Sequence, residues 1–120
     1  MTKKSELGKL GEDLACRYLE KKGYKIIERN YWKPWGELDI VARSPEKILV
    51  LVEVKTVEGD PPIITGEDHF TPTKSKRFKR VAELYANGSK YLTDKGWRID
   101  LVAVTINGEE VDLRHYENIS

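Results

Sequence analysis

One cysteine, Cys16, stands in 120 residues. No internal disulfide can form, which fits a reducing, cytoplasmic setting. Long apolar runs are missing as well. The longest, ILVLV at 48–52, is closed by Lys47 and Glu53. It falls far short of the ~20 residues a spanning helix needs, so no membrane partner is expected. The N-terminal MTKKSELGKLGEDL is charged where a signal peptide would need an apolar core. Charge of one sign is not in excess either: 21 Lys+Arg against 20 Asp+Glu give a net +1. The molecule as a whole is therefore not a polycation that gathers nucleic acid by bulk charge. Only two histidines occur, His69 and His115, isolated and without zinc-type spacing, and neither is expected to be a ligand. No Gly-rich phosphate loop or nucleophile elbow is present. Repeats, low-complexity tracts and linkers are also missing, and the length suits one domain over 1–120.

What remains is an alternation of helix and strand patterns. Across 5–22, at about 100° per residue, Leu7, Leu10, Leu14, Ala15, Tyr18 and Leu19 form one apolar arc. Ser5 is the expected cap and Gly23 the stop. Glu12 falls at the edge of that arc and is expected to be half-buried. A short strand at 24–29 leads into the turn NYWKPWG. At 37–43, Leu38, Ile40 and Ala42 alternate with Glu37, Asp39 and Val41, the period of a half-buried strand. Residues 48–56 read as a strand apolar on both faces as far as Glu53. A long loop at 57–72 holds Pro61, Pro62, Gly66 and Pro72. A second helix, capped by Thr73, carries Phe78, Val81, Ala82, Tyr85, Ser89 and Leu92 on one stripe, with Asn87-Gly88 as an early stop. Strands at 98–106 and 111–116 meet around Asn107-Gly108, a hairpin signal. The order is helix, three strands, helix, two strands, which specifies an α/β fold.

The anomaly is the charge inside the strands. Glu37, Asp39, Glu53 and Lys55 lie in or beside the two most strand-like segments, where unpaired charges are normally excluded. Alternation puts Glu53 and Lys55 on one face, roughly 6 to 7 Å apart. A three-residue reversal at Pro45-Glu46-Lys47 pairs Asp39 with Glu53 and brings all four groups together. A four-residue reversal pairs Asp39 with Val52 and turns the acids apart, unless a bulge intervenes. In the first register, two carboxylates about 5 Å apart repel by roughly 3 kcal/mol at an effective dielectric near 20. A hard divalent cation reverses that sign. Mg²⁺ takes one or two carboxylates and leaves its other positions to water and phosphate oxygens. A neighbouring lysine can hold an attacking water and offset charge on a phosphoryl group. An E-x-K after an apolar strand is also what an ordinary strand-end ion pair looks like.

Two other groups concern nucleic acid. KSKRFKR at 74–80 gives five cations and no anion: Lys74, Lys76, Arg77, Lys79 and Arg80. They suit a phosphate backbone or a solvated helix face. Trp32, Lys33 and Trp35 interleave aromatic and basic side chains on the expected loop before the Asp39 strand. Such a loop can stack on unpaired bases, and tryptophans also serve as packing anchors.

The blocks GKLGEDLA (8–15), GYKIIERN (23–30), GELDIVA (36–42) and LVEVKT (51–56) resemble the signature blocks of the YraN family of bacterial proteins. The lysine-rich second helix and RIDLVAV (98–104) match the family's later part, so the likeness covers nearly the whole chain. That family is placed in the PD-(D/E)xK, or restriction-endonuclease-like, nuclease superfamily and is similar to archaeal Holliday-junction resolvases. The resemblance implies a mixed central sheet in α-β-β-β-α-β order with a further C-terminal strand. It also implies Asp39 and Glu53 as acidic metal ligands, Lys55 as the motif lysine, and Glu12 as the first-helix acid that completes some such sites. Glu37 is the supporting acid beside them. Where the family commonly has a basic residue two places after the lysine, this chain has Val57. The implied cofactor is Mg²⁺, with Mn²⁺ as a substitute. The implied partner is nucleic acid, DNA first, and the resolvase likeness implies a homodimer. The expected function is phosphodiester hydrolysis, in branched or structured DNA. Two rivals fit the same residues: a catalytically inactive nucleic-acid-binding or assembly module, and a protein-interaction domain whose acids are salt-bridged.

Overall fold

The computed structural model describes residues 3–59 and 72–119. Most of the loop expected at 57–72, with His69, lies outside them, as do the side chains of Ser5, Thr73 and Lys74. Helix α1 (Lys3–Lys21) is followed by strands β1 (Lys25–Lys33), β2 (Gly36–Arg43) and β3 (Leu49–Glu58). Helix α2 (Pro72–Asn87) and strands β4 (Trp97–Asn107) and β5 (Glu110–Tyr116) complete the chain. The expected order is the one observed. The sheet runs β1-β2-β3-β4-β5 and is mixed: β3 and β4 are parallel, and every other neighbouring pair is antiparallel. No helix among the described residues is long and apolar enough to cross a membrane.

One helix covers each face of the sheet. Ala15, Cys16 and Leu19 of α1 pack on Ile40, Ala42, Val50, Val52, Val102 and Val104. Phe78, Val81, Ala82 and Ala86 of α2 pack on Val41, Leu49, Leu51 and Ile99. This double cover explains why the central strand β3 is a continuous apolar run rather than an alternating one. Cys16 lies within the first cluster, and burial pushes its thiol up, which makes it an inert core side chain.

Several boundaries differ from expectation. Helix α1 begins at Lys3, so Ser5 lies inside it rather than capping it, and Leu10, expected in the apolar arc, is 46% exposed. Helix α2 begins at Pro72, where a missing N–H is harmless, so Thr73 is not its cap. It ends at Asn87, and Leu92 joins the core from the turn beyond. Strand β1 runs on to Lys33, which places Trp32 and Lys33 on a strand and confines the turn to Pro34-Trp35.

The β2–β3 reversal is the three-residue one. Ser44 N–H donates to Ile48 C=O at 2.9 Å, and Lys47, at φ 71, supplies the left-handed residue that three-residue hairpins need. The pairs Arg43↔Leu49 through Ile40↔Val52 follow in step, and the ladder stops there.

Gly11 sets how closely α1 approaches β3. A Cβ at that position would run into the Thr56 side chain, so only glycine lets the helix lie against the strand. Gly11→Ala is expected to destabilise the protein by about 1–3 kcal/mol. Adding Thr56→Ala should recover part of the loss in urea melts. No recovery would place the strain elsewhere.

Candidate active site

The site forms where β2 leaves β3. Continued by one more step, the ladder would hand Val54 N–H to Leu38 C=O. Instead Val54 N–H donates to Asp39 Oδ2 at 2.8 Å. The carboxylate thus caps the backbone donor that the splayed strand abandons. The period-2 pattern breaks at the same point. Leu38 packs with the α2 layer, while Ile40 and Ala42 pack with the α1 layer, so Leu38 does not share their face as its spacing predicts. In the register of the flanking pairs Arg29↔Ile40 and Tyr31↔Leu38, Asn30 stands across from Asp39. Asn30 has φ 53, a left-handed conformation, and both strands change faces at this level. Asn is one of the few side chains that tolerates it.

An open cleft of about 560 Å³ lies at this splay, with α1 on one side and α2 on the other. Glu12, Glu37, Asp39, Glu53 and Lys55 all line it, as do Trp32, Lys33 and Arg77. Trp35, at 55% exposure, and the exposed Lys76, Lys79 and Arg80 lie outside its lining. The Lys74 side chain is outside the described residues. The second rim comes from Phe78 and Val81 of α2, and Gly36, at φ 149, lies so close to Val81 that a Cβ would collide with it.

The electrostatics are uneven. Asp39 is pushed up to about 7, first by burial and then by Glu12, Glu53 and Glu37, with the Val54 N–H bond opposing them. Glu53 is only 5% exposed at the end of the apolar run. Burial also raises Glu12, against the pull of Arg29, whose Nη2 lies 3.7 Å from Glu12 Oε1. Arg29 makes its shorter bond to Asp13, at 2.8 Å. Glu12 is half-buried, as its place on the helical arc predicts.

A second buried acid was not singled out by the strand-charge argument. Asp100, fully buried on β4, accepts from Arg98 Nε at 2.9 Å, lies 2.8 Å from His115 Nε2 and accepts from Asn118 N–H at 3.0 Å. Its signal was in the sequence, since an acid inside RIDLVAV is the same kind of anomaly as Glu53. His115, expected to be isolated, is the buried partner that explains it.

Fold and site together define an α/β protein with a carboxylate-rich cleft at the splayed end of a mixed sheet. The chain belongs to the UPF0102 (YraN) family: the model described as "Uncharacterised protein family UPF0102" matches residues 11–104, a span that includes Glu12, Asp39, Glu53 and Lys55. A UPF0102 protein of Flavobacterium johnsoniae is 40% identical over 121 residues, covering 96% of this chain and 94% of that protein. One of Thermotoga petrophila is 40% identical over 112 residues, covering 92% and 94%. Another, of Fervidobacterium nodosum, is 37% identical over 92% of this chain and 78% of its own length.

Proposed function

We propose that the chain binds nucleic acid, DNA first, and is a Mg²⁺-dependent endonuclease that hydrolyses phosphodiester bonds. The observation that carries this is the convergence of Asp39, Glu53 and Lys55 on one open cleft where β2 parts from β3. The likeness of the YraN family to restriction-endonuclease-like nucleases points the same way, as does the strand order around the mixed sheet.

The donor set fits a hard cation. Among the described residues, no group of three or more His, Cys, Asp or Glu forms an all-protein cage. Two carboxylates beside open space suit Mg²⁺, which keeps several waters, better than a metal that needs full protein coordination. Asp39 and Glu53 would hold it, Glu12 is the further acid on the cleft wall, and Mn²⁺ would substitute. When bound, the ion neutralises phosphate charge and acidifies water. Asp39 accepts the Val54 N–H at the same time, which fixes its orientation. Lys55 donates to the attacking water or to the phosphoryl oxygen on which charge grows. Lys33 and Arg77, on the two rims, meet the flanking phosphates. Trp32, 67% exposed on the lining, presents a ring to an unpaired base.

The test separates chemistry from binding. Lys55→Ala is expected to lower Mg²⁺-dependent cleavage at least ~100-fold while DNA affinity stays within about twofold. Charge reversal at Lys76 and Arg77 should weaken binding and flatten its salt dependence. Binding without cleavage of duplex, single-stranded and branched DNA, with either ion, would leave a catalytically inactive binding or assembly module. Neither binding nor ion uptake would overturn the proposal entirely.

A further inference from the structure

A second cleft, of about 340 Å³, adjoins the acidic one. Tyr31, Tyr85 and Tyr91 line it with Lys33, Lys90 and Leu84. Lys33 lines both clefts. Helix α2 joins them too: Arg77, Phe78 and Val81 face the acidic cleft, and Leu84 and Tyr85 the second. From Phe78 to Tyr85 the helix rises about 10 Å.

Three half-buried tyrosines, which also pack against the α2-side core, share this cleft with two lysines. Tyr31 and Tyr85 meet edge to face, with ring centroids 4.8 Å apart at 84°. The Lys33 ammonium lies 5.7 Å from the centre of the Tyr31 ring, and that of Lys90 lies 5.3 Å from the centre of the Tyr91 ring. Among the described residues that line it, none is acidic. The Tyr85 hydroxyl donates to Glu28 at 2.9 Å. Leu84 is 55% exposed, an apolar side chain on the rim that the core does not cover.

We infer that this cleft holds unpaired nucleotides of the strand whose phosphodiester lies in the acidic cleft, so that the substrate class is DNA with a single-stranded overhang. The inference rests on the endonuclease proposal and adds the shape of its substrate. Aromatic faces take any base, because every base has a π-face, while flanking lysines neutralise the phosphates between them. A fully paired duplex hides those faces and has nothing to insert. Lys33, shared by the two clefts, would meet the phosphate at the crossing point between paired and unpaired segments.

The experiment compares a fluorescent duplex carrying a short 3′ or 5′ overhang with the same duplex blunt-ended, without divalent ions so that nothing is cut. The wild type should bind one overhang substrate at least ~10-fold more tightly, as stacking of one or two bases implies. Leu84→Gln changes an exposed position without altering charge, so folding and phosphate attraction should be kept, and it should weaken that preference while leaving blunt-duplex affinity unchanged. Gly88→Leu narrows the cleft from another lining position, where a Cβ meets only the Leu84 carbonyl at an ordinary 3.6 Å, and should do the same. Equal affinity of the wild type for overhang and blunt DNA overturns this inference alone. So does an equal loss on both substrates in the two variants. Failure to bind either DNA overturns the nucleic-acid proposal beneath it as well.

Discussion

Asp39→Asn is expected to raise the stability of the metal-free protein by about 4 kcal/mol at pH 8, and by almost nothing near pH 4. The carboxyl is pushed up to about 7 from an ordinary 3.8, mainly by burial. The folded chain therefore holds this proton more tightly than the unfolded chain does. The favourable contribution is fully present below the unfolded value near 3.8, declines as pH rises, and is gone above about 7. Asn is neutral throughout and can still accept the Val54 N–H, so the variant keeps the bond and loses the penalty. Urea melts at the two pH values measure the difference directly. A variant less stable than wild type at both would mean the carboxylate is a needed structural partner. Saturating Mg²⁺ should narrow the gap from the other side, because a ligand at 100 times its dissociation constant adds about 2.7 kcal/mol to the protein that binds it. The wild type should gain and the variant should not.

That prediction depends on a detail the sequence could only offer as one of two registers. The reversal Pro45-Glu46-Lys47 has no Gly or Asn to declare its length. The left-handed residue is Lys47, a type that gives no warning of φ 71. The helices, the five strands and their order were legible because hydrophobic period and turn residues repeat the same information several times over. The approach of Glu12 was legible too, since a helical arc fixes which residues sit at its edge. The break at Asp39 was not. Period-2 counting puts Leu38 with Ile40, whereas the strands change faces between them, beside Asn30 at φ 53. Strand alternation presumes an unbroken ladder, and here the ladder ends at the residue that matters. The loop assigned to Trp32 and Lys33 fails for a related reason. Pro34 marks the turn, but a two-residue connection lets both strands run up to it.

The other large effect belongs to Asp100, the buried acid of β4. Asp100→Ala is expected to cost about 3–5 kcal/mol, because it takes this buried partner from His115 and the Asn118 N–H and leaves Arg98 only Glu117, at 3.2 Å, as its anion. Arg98 bonds Asp100 and also donates to the Tyr24 hydroxyl at 2.7 Å. His115, 2.8 Å from Asp100 through Nε2, meets Lys22 Nζ at 2.9 Å through Nδ1. One carboxylate thus ties β4 to β5, to the chain beyond β5 through Asn118, and, by way of Arg98 and His115, to the residues that link α1 to β1. Burial raises this acid, but the bonds from His115, Arg98 and Asn118 outweigh it and hold it below the ordinary carboxylate range. The sign is therefore opposite to that of Asp39. Its stabilisation is present above the unfolded value near 3.8 and is lost only as pH falls through the lower folded value. Wild-type melts should show both trends: a decline as pH rises from about 4 to 7, and a further loss at stronger acid that is smaller in Asp100→Ala. The double variant Arg98→Met/Asp100→Leu should be less damaged than the two single changes combined, since an apolar pair leaves no stranded charge. None of these residues lines the acidic cleft, so Asp100→Ala should leave the proposed DNA binding unchanged below its melting temperature. A loss of binding by the folded variant would instead make Asp100 part of the site.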